Sequence, residues 1–168
     1  MNEVHYVRSS YREKLIEHLF IGELLKFMWQ SGQFDIECLR PEVDCTGYDI
    51  VLAKGAIVRH VQLKASFTDA RTKAQKVNAN LWAKPAGCVI WIQFDQTDMS
   101  LKDYLWFGND HATPLHDLSS FKIARHTKAN MQGIKAERAN IRVVPVTRFK
   151  PVDGINGLCQ QLFGPPVH

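Results

Sequence analysis

At 168 residues the chain has the size of one domain and can bury a core without disulfide or metal staples. Hydrophobic content of 45% and charged content of 23% are those of an ordinary globular protein and exclude a fibrous or disordered chain. No apolar run approaches ~18 residues, so no transmembrane helix is expected, and the net charge of +4 is small but unevenly spread.

The first residues, MNEVHYVRSSYREK, contain no apolar run of signal-peptide length. Four cysteines (Cys38, Cys45, Cys88 and Cys159) form no CxxC pair and no metal-finger spacing. A single cytoplasmic domain with reduced thiols is the expectation.

The spacing predicts a first helix over 11–31. Ser9 or Ser10 can cap it, with Glu13 in a capping-box position. Ile16, Leu19, Phe20, Leu24, Phe27 and Met28 recur at helical spacing as the stripe to be buried. Glu13, Glu17 and Glu23 lie on or beside that stripe, and Gly32 ends the helix. Residues 34–40, FDIECLR, alternate as a strand that Pro41 closes. Asp44, ahead of Thr46-Gly47, reads as a turn cap before it reads as a metal ligand.

Two runs rich in Val and Ile, 48–53 and 57–63, flank Lys54-Gly55 and predict a β-hairpin. Pairing Ala53 with Ala56 sets Asp49 opposite His60, one pair from Gln62. His60, Gln62 and Lys64 share a face by two-residue alternation, and with Asp49 they form a polar cluster whose diagonal neighbours are roughly 7–8 Å apart. A half-solvated sheet face would look the same. The cluster also suits a divalent cation and an anionic substrate.

Residues 68–81 lose the alternation and carry Lys73 and Lys76 at helical spacing, which predicts a second helix. Pro85 and Gly87 then break the chain before CVIWIQF at 88–94, a continuous apolar run expected as a buried central strand. Beyond Asp95 the signals are a strand at 104–107, a basic loop or short helix at 122–130 and a strand at 141–146. Last comes an amphipathic helix capped by Asp153, carrying Ile155, Leu158, Cys159, Leu162 and Phe163. His111, His116 and His126 have no metal-ligand spacing. Between Ser119 and Lys150 eight cations face Glu137 alone, a net +7 that leaves −3 for the rest of the chain. Such a bias fits a phosphate-backbone partner, DNA before RNA, with Lys73, Lys76, Lys122, Arg125 and Lys128 as candidate contacts, although a solvated basic surface would carry the same charges.

The order GYDIV, a short gap, then HVQLKAS resembles the core of the PD-(D/E)XK nuclease-like superfamily. It is most similar to members with Gln in place of the acid before the Lys, over about residues 11–95. The resemblance implies an α/β (α+β) fold of restriction-endonuclease type. Its core order is α-β-β-β-α-β, with a mixed central sheet flanked by helices and 96–168 as a basic extension of one domain. It also implies a Mg²⁺- or Mn²⁺-dependent endonuclease. Asp49 and the Gln62 oxygen would hold the cation with an acid from the first helix, and Lys64 would stabilise charge at the phosphate. In that superfamily the helix acid is followed by apolar residues three, four and seven positions on. Glu17 satisfies this with Phe20, Ile21 and Leu24, Glu13 comes second, and Glu23 fails at three. A neutral amide offers a cation less charge than a carboxylate, so Glu17 would have to compensate for Gln62. The competing expectation is a module of the same fold without turnover that binds nucleic acid or a protein partner, a second copy of the chain included. A structural role in a larger complex, with the basic C-terminal third as interaction surface, is a third.

Overall fold

A computed structural model describes residues 7–43, 47–126, 131, 133 and 135–165. Asp44, Cys45 and Lys128 lie outside the described residues. Among the described residues the elements run from helix α1 (Ser9–Gln30) to β1 (Ile36–Leu39), β2 (Ile50–Lys54), β3 (Ile57–Phe67) and β4 (Ala74–Asn78). A short 3₁₀ helix (Ala79–Ala83) leads to β5 (Cys88–Phe94), β6 (Leu101–Gly108), β7 (Lys122–Arg125) and β8 (Glu137–Pro145). After a second 3₁₀ turn come β9 (Lys150–Val152) and helix α2 (Gly154–Phe163).

The protein is a mixed α/β fold with two sheets. The larger has six strands in the order β1-β2-β3-β5-β6-β9, and the smaller has three in the order β4-β8-β7. Only β3 and β5 run parallel in the larger sheet, so it is mixed, as expected. Alternation along β5 explains the layering. Ile90 and Ile92 face Phe20, Leu24, Leu158 and Leu162 of the two helices. Val89 and Trp91 face Val77, Leu81 and Val144 on the small-sheet side. β5 is apolar throughout because both of its faces are covered. Helices therefore flank one face of the large sheet and a second sheet covers the other, where the sequence predicts helices flanking the sheet.

That second sheet overturns the predicted helix over 68–81. The segment instead enters β4, pairs antiparallel with β8 from Ala74↔Pro145 to Asn78↔Ile141, and buries Val77. Only the short 3₁₀ helix, and no α-helix, stands between β3 and β5, so the α-β-β-β-α-β order is not found. Helical spacing of two lysines was a weak signal against a strand partner far along the chain.

The hairpin forms with a register two residues from the predicted one. Lys54 pairs with Ile57 and Ile50 with Val61, so the turn is Gly55-Ala56, with Gly55 at φ +56°. Either turn puts glycine in a two-residue loop, and a shift of two leaves every side chain on its own face. Carried one step beyond the ladder, this register sets Asp49 against Gln62 instead of His60. The helix start also differs: Arg8 occupies the cap position of α1 without a side-chain cap bond, so neither Ser9, Ser10 nor a capping box closes it. Ile16, Phe20, Leu24 and Met28 are buried, while Leu19 is 36% exposed and Phe27 is half-buried.

Elements after residue 96 contribute to the core. β6 and β9 belong to the large sheet, and Tyr104, Trp106, Leu158 and Leu162 pack into the same cluster as α1. Among the described residues no helix is long and apolar enough to cross a membrane.

Candidate active site at the open edge of β3

β3 outruns its hairpin partner. β2 begins at Ile50, opposite Val61, whereas β3 continues to Phe67 with β5 on its other side. Asp49 sits at the resulting step. Its backbone N–H donates to the Val61 carbonyl (2.9 Å), and its Oδ2 accepts the Leu63 N–H (2.6 Å). The side chain thus continues the ladder for one more position and holds the carboxylate at the strand edge. Gly47, at φ +77°, lets the chain reach this point, because a Cβ there would overlap the Asn78 side chain.

Beside the step is a cavity of about 310 Å³. Asp49 and Lys64 line it from the hairpin, Arg12, Glu13, Lys14 and Glu17 from α1, and Gln75 from β4. Lys64 alternates with Leu63 and Ala65, which pack on the helix side. It therefore leaves β3 on the face opposite α1. Both sides of the sheet reach one cavity only because β2 is absent at that edge.

Glu17 is the buried acid of α1, its side chain 6% exposed. Lys14 Nζ donates to Oε2 (2.8 Å) and Arg40 Nε to Oε1 (2.6 Å). Burial alone would raise the carboxyl's pKa. The hydrogen bonds and charges of Lys14 and Arg40 outweigh it and hold Glu17 below the ordinary carboxylate range. Glu13 is exposed and faces the same cavity. Glu23 is elsewhere, accepting the Tyr104 hydroxyl (2.7 Å); burial foremost, and this carboxylate after it, push that phenol above its usual range.

Gln62 and His60 are not brought to the cavity. Gln62 is buried, and its Oε1 accepts the Asn78 N–H (3.1 Å), tying β3 to the end of β4. His60 packs edge-on against Tyr48 with its Nδ1 2.9 Å from the Pro85 carbonyl oxygen. Three of the predicted basic contacts fall on the small sheet. Lys76 and Lys122 both pair across Val143, which places them in one row on its exposed face, and Arg125 forms an exposed ion pair with Glu137 (3.4 Å). Lys73 is exposed just before β4.

Sequence reasoning missed Arg12, Lys14 and Arg40. Lys14 was legible as the i,i+3 partner of Glu17. Arg40, twenty-three residues away, had no local signal.

Among the described residues no group of three or more His, Cys, Asp or Glu is placed to share a metal ion. A Mg²⁺ that keeps several waters needs only one or two carboxylates, and Asp49 with Glu17 supplies two on one cavity. The donor set therefore fits such an ion without Gln62. A scan against protein-family models finds no match to this chain, and a search of curated proteins finds no significant relative.

Proposed function

We propose that the protein is a divalent-metal-dependent nuclease of PD-(D/E)XK type that hydrolyses phosphodiester bonds, with DNA as the first substrate to test. The observation that supports this reading is the meeting of Asp49, Lys64 and Glu17 at one cavity, the first two from a hairpin of the large sheet and the third from the helix packed on it. Bound Mg²⁺ or Mn²⁺ would supply Lewis acidity and a bound water of lowered pKa. Asp49, fixed by the Leu63 N–H, and Glu17, fixed by Arg40, would hold it. Lys64 offers a point charge to the phosphate as negative charge develops there. Gln62 acts as the strut between β3 and β4. The row of Lys76 and Lys122 on the small sheet would hold the phosphate backbone without reading bases.

A second reading is a nuclease-like module without turnover that binds nucleic acid or a protein. It is favoured by one fact: both oxygens of Glu17 already carry cationic partners. Cleavage of supercoiled DNA, single-stranded DNA and RNA in Mg²⁺ and in Mn²⁺ separates the two. The enzyme cuts at least one substrate and Asp49→Ala does not. Wild-type protein inert under every condition leaves the binding module.

A further inference from the structure

Glu17 has two cationic partners that differ in place and in freedom. Arg40 Nε meets Oε1 from outside the cavity, and its Nη2 lies 3.3 Å from His18 Nδ1, so the guanidinium has a second polar contact. Lys14 Nζ meets Oε2 from the cavity wall, one turn back on the same helix. The Lys14 side chain is 67% exposed and Glu17 only 6%. An exposed ammonium on a four-carbon stem gives up a single ion pair at little cost, since water takes over its solvation. A buried carboxylate cannot do the same. Any exchange of partners at Oε2 therefore moves the lysine and leaves the acid in place.

We propose that Lys14, one of three cations lining the cavity, occupies the Glu17 oxygen that a divalent ion takes, while Arg40 anchors the same carboxylate from behind. This rests on the metal-dependent reading above and adds the step that admits the ion. Lys14 and the ion compete for Oε2, and the ion is favoured by its second charge. Arg40 keeps the carboxylate aimed while the exchange proceeds, which makes it a positioning residue.

Isothermal titration of the full chain with Mn²⁺ tests the exchange. Lys14→Gln, at an exposed position, should bind Mn²⁺ about tenfold more tightly than wild type, the effect of removing one competing charge after solvent screening. Lys26→Gln removes a charge from the same helix away from the cavity and should match wild type. Wild type that binds Mn²⁺ while Lys14→Gln binds equally or more weakly overturns the role of Lys14 and leaves the metal site standing. Tightening by Lys26→Gln of the same size overturns it too, since net charge would then explain both. No Mn²⁺ binding by any of the three proteins overturns the metal reading and the exchange together.

Discussion

Arg59 and Glu17 are the charged side chains buried among the described residues, and their partners differ in kind. Arg59, on β3, donates to four backbone carbonyls. Leu162 (2.8 Å) and Gln161 (2.7 Å) belong to the last turn of α2, and Asp110 (3.0 Å) and Asn109 (3.2 Å) to the loop after β6. Its guanidinium also lies 5.2 Å from the Trp106 ring centroid. These acceptors are neutral and fixed in the backbone, and the helix end adds its negative pole. Glu17 is held by two ions on side chains that reach into water. A buried charge satisfied by backbone is a fastening. One satisfied in part by a lysine that reaches into water can exchange that partner.

The contrast breaks most visibly at Arg59. Arg59→Met leaves four carbonyls without their donor and should lower the unfolding free energy by about 3–5 kcal/mol, measured in urea. The folded fraction should bind Mn²⁺ as wild type does. If Arg59→Met instead costs no stability, the fastening does not exist.

Lys64→Ala probes the other end of β3. Turnover should fall by about 10²–10³-fold, the order for removing one charge-stabilising donor, while the urea midpoint stays put. A variant that keeps wild-type turnover would take Lys64 out of the reaction.

A smaller effect is expected at Glu17, where both partners are exposed. Glu17→Gln should cost about 1 kcal/mol at neutral pH. The folded pKa is depressed, so the wild-type advantage is complete above the ordinary glutamate value of 4.5 and fades as pH falls through the lower folded value. Chemical denaturation of both proteins from pH 7 downwards tests this. An advantage that persists at the lowest pH would mean that charge is not its source.

The smallest change is expected on the small sheet. Reversing Lys76 and Lys122 together should lessen the salt dependence of duplex-DNA binding by roughly one unit of slope per residue, evenly across sequences. An unchanged slope would place the nucleic acid on another face.

Much of the cavity was legible because its signals are local. The Val- and Ile-rich runs around Gly55 specify a hairpin, and alternation puts Gln62 and Lys64 on one face whether the register is slipped by two or not. The apolar spacing that the resemblance attaches to the helix acid singles out Glu17, which is buried. What stayed hidden depends on distant chain. The residues of β4 gave no alternation strong enough to outweigh Lys73 and Lys76, because only Val77 is buried and its sheet partner is β8. Gln62 looked like a ligand from its place two residues before Lys64. The Asn78 N–H that occupies its oxygen comes from that same unforeseen strand. Arg59 gave no local signal of burial, since its acceptors lie about 50 and about 100 residues further on.

The pairing of β4 with β8 also sets a timetable. The small sheet takes its first strand from the middle of the chain and its others from near the end. On a ribosome, β1 to β5 can therefore assemble while Val89 and Trp91 still lack the Val144 side of their cover. Closing so long a loop is slow on entropic grounds, and parallel pairing such as β3 with β5 adds to the delay. A nascent chain halted before β8 would show an apolar sheet face to its surroundings, the kind of surface that chaperones engage.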